Sequence, residues 1–456
     1  MTTQDKPATP AALLTGRLPK QGVDRDAILA QLHALRTNDV RWHDGRTFSL
    51  VYHVSDEHTD LLRQAHAVFF CENALNPGAF GSLRQLETQV IAMACDLLGG
   101  GTQAVGSMTS GGTESILMAV KTYRDRALSQ HPGRFAEGPP EIITPTTVHP
   151  AFDKAGHYLG VKILHVPVGP DFRVDIDAVR AAITPRTVAL VGSAPAYPHG
   201  VVDPIEALSD LALQHGLGLH VDACVGGFFL PFARALGHPI PAFDFAVPGV
   251  TSISADLHKY GFAAKGASCI LYRDGDLRRF QFFVYTDWPG GIMASSTMAG
   301  TRPGGPIAAA WAAMMSLGRS GYLRNADVVM RTTQRFLSGI RAIPGLRVLG
   351  EPAIGVFAYT ADDLEIFAIA DAMEARGWHI DRQQRPDCLH LMINPNHAAI
   401  VDEYLRDLSD SVEYVRAHPE VASQGQAAMY GLLARLPERG QVAELVLQHF
   451  DGVYRP

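Results

Sequence analysis

From Ser82 onward, Leu83, Leu86, Val90, Met93 and Leu97 recur at three- and four-residue intervals, the period of an amphipathic helix lying on a core. A Ser82/Gln85 pair has capping-box spacing, and Gly99-Gly100-Gly101 closes the segment. Upstream, one helix is predicted over 24–37, followed by Trp42, Phe48 and Tyr52 in irregular surroundings, so residues 1–57 read as an arm packing on something else. Between about 105 and 275 short apolar runs alternate with helical segments, and the candidate strands are 142–144, 162–168, 188–192, 217–222, 252–255 and 269–273. That alternation predicts an α/β fold with a mostly parallel sheet covered by helices. Ligands of such sheets sit beyond the carboxyl ends of the strands, which gives weight to the residues following each run. After Arg319 a long helix (323–343), short strands at 346–349 and 356–359, a helix near 364–376 and a strand at 389–393 predict a smaller α+β domain. The expected division is an arm (1–57), a large domain (58–318) and a small C-terminal domain (319–456), with a continuous helix across the second boundary.

Composition narrows the classes. The 456 residues are 47% apolar and 19% charged, an ordinary globular balance. A net charge of -7 speaks against a nucleic-acid or anionic-membrane surface, so any anion needs a local site. The five cysteines are odd in number and lack a Cys-x-x-Cys pair, which argues against a disulfide framework or a zinc site; no metal-ligand set is read, and a cytoplasmic location is expected. Met1 to Pro10 has no apolar core of a secretory signal, and the apolar stretch 307–315 is about half the length needed to span a bilayer, so a soluble protein is expected.

Four segments carry candidate chemistry. Ser110-Gly111-Gly112-Thr113 follows an expected strand end and precedes a helix beginning near Glu114, with Ile116, Leu117, Val120 and Tyr123 at helical spacing. Glycines let a backbone approach an anion, and a helix N-terminus favours phosphate; a plain glycine turn reads the same way. Asp222 ends an apolar run, where a buried carboxylate needs a cation, either a protonated ring nitrogen or a structural partner. Lys259, in Ser254-Ala255-Asp256-Leu257-His258-Lys259-Tyr260-Gly261, follows another such run; in an apolar setting its pKa is expected to fall, making it an amine nucleophile, whereas the bland alternative is a surface lysine. His149 follows the run at 142–144 and is either a ring-stacking residue or a loop histidine. In chain order these parts are what a pyridoxal-5'-phosphate (PLP) site needs.

On these motifs, together with Gly192-Ser193-Ala194-Pro195, Tyr285-Thr286-Asp287-Trp288-Pro289-Gly290-Gly291 and Ala299-Gly300-Thr301-Arg302-Pro303, the chain resembles fold-type-I PLP enzymes of the group II decarboxylase class, and within it the sphingosine-1-phosphate lyases. The resemblance covers about 40–315. It implies that Ser110, Gly111, Gly112 and Thr113 bind the cofactor phosphate with His258 nearby, that His149 stacks on the ring, that Asp222 faces the pyridine nitrogen and that Lys259 holds the cofactor covalently. It further implies a homodimer with shared active sites, in which Gly300 and Thr301 reach the cofactor phosphate of the neighbouring subunit.

The implied activity is retro-aldol cleavage of a phosphorylated long-chain amino alcohol to a long-chain aldehyde and phosphoethanolamine. Tyr52 and Lys265 match the family's substrate-phosphate positions, and Asn76 stands where a histidine is expected. Phe48, expected to add bulk near the substrate entrance, Met293 and Ala196 also depart from the pattern. The competing readings are an amino-acid decarboxylase of the same fold, with a carboxylate anchor instead of a phosphate pocket, and a catalytically silent binding protein.

Overall fold

The structure is a computed structural model that describes residues 18–455. The segment Met1 to Pro10, read above as lacking a secretory signal, lies outside the described residues. Seven strands build the large sheet: β1 (Val105–Thr109), β2 (Glu141–Pro145), β3 (Lys162–Val166), β4 (Thr187–Ser193), β5 (Gly218–Asp222), β6 (Ser252–Ala255) and β7 (Ser268–Tyr272), in the order β1-β7-β6-β5-β4-β2-β3. All pairings from β6 to β3 are parallel, and β7 runs antiparallel between β1 and β6. Every residue of β2 and of β4 to β7 is buried, because helices cover both faces; that is why these strands read as unbroken apolar runs.

The helix Gly112–Gln130 leaves the carboxyl end of β1, and Asp222 ends β5. The turn carrying Lys259 follows β6 and returns as β7. The parallel order therefore gathers the singled-out residues at one end of the sheet. Next in the chain comes a small exposed hairpin of β8 (Phe283–Tyr285) and β9 (Met293–Ser295). One helical run, Gly304–Ala342, then leads to the second sheet, breaking helical geometry at Gly318, whose φ of 52° suits a residue without Cβ. That sheet is antiparallel: β10 (Leu346–Val348), β11 (Val356–Ala361), β12 (Asp381–Gln383) and β13 (Cys388–Met392), ordered β10-β11-β13-β12.

Several expectations change. The amphipathic helix spans Gly81–Leu97 without a capping box: no side chain caps it, and the preceding turn is closed by Asn76, whose side-chain oxygen accepts from the N–H groups of Gly78 and Ala79. The C-terminal part is more helical than predicted, with Val401–Ala417, Gly425–Arg435 and Arg439–Val453 following the small sheet. The stretch 307–315 lies within the Gly304–Ala342 helix, mostly buried, and no helix among the described residues is long and apolar enough to cross a membrane.

Phe48 is the clearest correction. The arm packs on the small sheet: the His379 N–H donates to Arg46 O at 2.8 Å and the Met392 N–H to Phe48 O at 2.8 Å. This pairing turns the Phe48 ring inward, fully buried, against His397, Tyr404, Phe336 and Trp378 at centroid distances of 4.6 to 6.0 Å. It lines neither cavity described below. Ala196 is likewise fully buried, just after Ala194-Pro195, and Met293 opens β9. Phe48→Ala should therefore destabilise the protein by roughly 3–5 kcal/mol, read as a lower denaturation midpoint, while KM of the folded enzyme stays unchanged. A large KM change at unaltered stability would restore a role at the substrate entrance.

Candidate active site

A cavity of about 350 Å³ opens at the carboxyl ends of the strands, lined among others by Gly111, Gly112, Thr113, His149, Asp256 and Lys259. Its glycine wall is obligatory at one position. A Cβ on Gly112 would stand 2.8 Å from both Asp256 Oδ2 and Cys224 Sγ, so only glycine lets the helix Gly112–Gln130 start this close to the turn after β6. The first N–H groups of that helix have no partner within it, which together with its dipole makes the start of the helix an anion site. Glu114 fixes the approach: its carboxylate accepts from the Ser110 N–H at 2.6 Å and from the Met298 N–H at 3.0 Å, tying the glycine loop to the loop that carries Gly300.

Lys259 Nζ lies 2.9 Å from Asp256 Oδ2, and Asp256 is almost wholly buried. Burial alone would lower the lysine pKa. The Asp256 charge, then Cys224 and the Asp256 hydrogen bond, outweigh it and hold the pKa above its ordinary value. Burial would raise the Asp256 pKa, but the Lys259 ammonium brings it below the ordinary carboxylate value, so the pair is ionised. The expected depressed lysine pKa is thus reversed, because the carboxylate three residues earlier faces the amine. Asp256 stands in the same motif, and an acid three positions before a lysine, straight after a buried strand, is its signal in the sequence.

His149 accepts the Ala151 N–H at Nδ1 (3.2 Å), and burial lowers its pKa despite the Asp222 charge, leaving a neutral ring at the cavity wall. Asp222, 7% exposed, accepts from the Cys224 N–H at 3.1 Å and the Ser254 hydroxyl at 3.3 Å on the same oxygen. His258 accepts the Ala267 N–H at Nδ1, and burial brings its pKa to about 4, so it too is neutral.

His258 also lines a second cavity of about 470 Å³, shared with Tyr52, Lys265, Leu62 and Phe262. Lys265 Nζ sits 5.2 Å from the Tyr52 ring centroid and donates to His258 O at 3.3 Å. Its crowded surroundings, then the Lys259 charge, lower its pKa to about 8 even though the side chain keeps solvent contact. Burial keeps Tyr52 a neutral phenol, its hydroxyl directed at Met392 Sδ (3.4 Å). Asn76 does not join them. It is exposed, its side-chain oxygen engaged in its own turn, and its loop is bound to the Gly300–Thr301 loop by Ala74 N–H to Arg302 O (2.9 Å) and by Asn73 Nδ2 to Thr301 Oγ1 (3.3 Å). Gly300 and Thr301 line neither of the two cavities.

A profile of the pyridoxal-dependent decarboxylase conserved domain matches residues 11–361. The chain belongs to this family. The sphingosine-1-phosphate lyase of Oryza sativa subsp. japonica is 44% identical over 449 residues, which cover 96% of this chain and 82% of the relative. The solved structure of the Burkholderia pseudomallei sphingosine-1-phosphate lyase matches with a TM-score of 0.85 and 41% identity, covering 91% of this chain and 97% of that one. The glutamate decarboxylase of Lactobacillus brevis, at 16% identity and a TM-score of 0.76, shares the fold.

The chain is a PLP-dependent lyase of fold type I. The first cavity fits the cofactor, with a helix start for the phosphate, a neutral imidazole on the wall and an amine within it, while the strand-end carboxylate of Asp222 is not among its lining residues. Gly112→Ala should weaken cofactor binding by roughly tenfold or more, measured by titrating PLP into cofactor-free protein. Unchanged affinity would show that the phosphate does not approach Gly112.

Proposed function

We propose that this protein cleaves a phosphorylated long-chain amino alcohol, of the sphingosine-1-phosphate type, into a long-chain aldehyde and phosphoethanolamine. The observation that carries this reading is the second cavity, which adjoins the cofactor cavity at His258 and presents Lys265 and Tyr52, a cation and a hydroxyl suited to a substrate phosphate. Its remaining wall is largely apolar, as an aliphatic chain requires.

When bound, PLP supplies an electron sink for the bond broken beside the amine-bearing carbon. The residues around it divide the remaining tasks. Ser110 to Thr113 and the helix N-terminus bind its phosphate, with His258 nearby. Asp222 holds a proton at the pyridine nitrogen. His149, being neutral, would pack against the ring without competing for that charge. Lys259, whose ammonium Asp256 stabilises, would have to give up that proton for its amine to hold the cofactor, and a free amine there could move protons at the reacting carbons. The substrate's C3 hydroxyl would give its proton to the free Lys259 amine or to the substrate phosphate, the C2–C3 bond would break with its electrons passing to C2, and C2 would take a proton back from the same carrier.

The same proposal includes a cytoplasmic homodimer and the division at 57/58 and 318/319. Cysteine usage supports a reducing compartment: none of the five is paired and four are buried. The hairpin supports a dimer, since Phe283, Val284, Tyr285, Trp288 and Ile292 are about half exposed or more. With Gly300 and Thr301 reaching a neighbouring site, the Asn76 loop bound to them faces that site as well, which accounts for its distance from Tyr52 and Lys265 in its own chain.

Three outcomes test the reading. Purified protein with a phosphorylated long-chain base should release aldehyde, and carbon dioxide from a panel of amino acids without aldehyde from the base would instead make it a decarboxylase. Lys259→Ala should abolish turnover and the covalent cofactor absorbance. Lys265 has its charge below pH about 8 and loses it above, so KM for the phosphorylated substrate should rise about tenfold per pH unit there, until the higher pKa of the complex is reached. Lys265→Met should raise KM at pH 7 and remove this rise; a pH profile identical to that of the native enzyme would exclude Lys265 from the phosphate pocket.

A further inference from the structure

At the rim of the second cavity the arm brings His43, His53 and Asp56 together, with one potential ligand atom from each lying within 4.8 Å of the others. His43 Nδ1 is 3.6 Å and His53 Nε2 3.8 Å from Asp56 Oδ1. These separations are too long for hydrogen bonds. They are close to the roughly 3.3 Å between ligand atoms around a tetrahedral Zn²⁺ with bonds near 2.0–2.1 Å.

Both imidazoles are oriented from behind. The His43 ring stacks on Trp42, with centroids 3.5 Å apart and planes at 26°. The Thr59 hydroxyl gives its proton to Ser55 O at 3.0 Å, so toward His53 Nδ1, 3.5 Å away, it can only accept. That places the His53 proton on Nδ1 and the lone pair on Nε2, the nitrogen facing Asp56, which is how an outer hydrogen bond selects the tautomer of a metal-ligating histidine.

We propose that His43 Nδ1, His53 Nε2 and Asp56 Oδ1 bind one divalent transition-metal ion of the Zn²⁺ type, leaving a coordination position for water or for an anionic oxygen. Two imidazoles and a carboxylate suit such an ion better than Ca²⁺ or Mg²⁺, which take oxygen ligands. His53 also lines the cavity of Tyr52 and Lys265. In the lyase reading, on which this last step alone rests, the ion adds positive charge at the mouth of a phosphate pocket whose expected histidine is Asn76.

Isothermal titration of untagged, chelator-treated, PLP-loaded protein with Zn²⁺ should give one site per chain with a micromolar dissociation constant. His43→Ala and His53→Ala should each weaken it by about 100-fold, with unchanged thermal unfolding and PLP content. Co²⁺ should develop visible absorption bands in the native protein and lack them in the double variant. Absence of saturable Zn²⁺ binding, or equal affinity in the His43→Ala/His53→Ala protein, would overturn the site. Neither result depends on turnover, so a failed metal site leaves the lyase reading standing, and a failed lyase assay leaves the metal site standing.

Discussion

A carboxylate and an amine buried together, Asp256 and Lys259, impose the constraint around which the rest of the molecule is arranged. Left alone in the interior, either charge would be strongly destabilising, and their contact at 2.9 Å removes that penalty only while the turn after β6 holds both. The turn is pinned on every side. His258 N–H donates to Ala267 O, Ala263 N–H to Leu257 O, and Asp256 N–H to Cys224 O in the segment after β5. Tyr260, next to the lysine, reaches into the small sheet region and donates to Ile393 O at 2.8 Å. Tyr322 of the connecting helix donates to Gly261 O at 2.9 Å. The large sheet, the connecting helix and the C-terminal part therefore all fix one lysine.

The same pair sets the proton chemistry. A lysine that is to become a nucleophile must be neutral, and Asp256 opposes this by stabilising the ammonium. The opposition is local: when Lys259 releases its proton, a base stands 2.9 Å away. Gly112 makes this possible, since any side chain there would collide with Asp256 and push the glycine loop away. Phosphate cradle and proton partner are one packing solution.

Much of this was legible. Strands β2 and β4 to β7 reveal themselves because burial on both faces forces continuous apolar runs. β1 escapes that pattern with Val-Gly-Ser-Met-Thr, whose polar members bond sideways, as Ser107 does with Gln281. Gly111, Gly112, His149 and Lys259, which line the first cavity, were legible because each comes after a strand. What stayed hidden depends on contacts between distant segments. Phe48 reads as bulk near the substrate entrance until the pairing of Arg46 and Phe48 with 379 and 392 turns it inward. The helix Val401–Ala417 had its signal in Val401, Tyr404, Leu408, Val412 and Val415, a buried stripe at helical spacing. His43, His53 and Asp56 carry no motif, and only the turn of the arm makes them neighbours.

The substrate side follows from how two loops are joined. Arg302 pairs with Glu87 at 2.8 Å and accepts the Ala74 N–H, so the loop with Asn76 and the loop with Gly300 and Thr301 move as one piece. Asn76 moreover uses its side-chain oxygen to close the turn at Gly78 and Ala79, so only its amide N–H groups remain to donate, and it brings no charge. Lys265, which lines the second cavity together with Arg63, is an ammonium weakened by crowding, and an arriving anion would restore it. Lys265 lines only the second of the two cavities, and His258, whose carbonyl accepts from it, lines both.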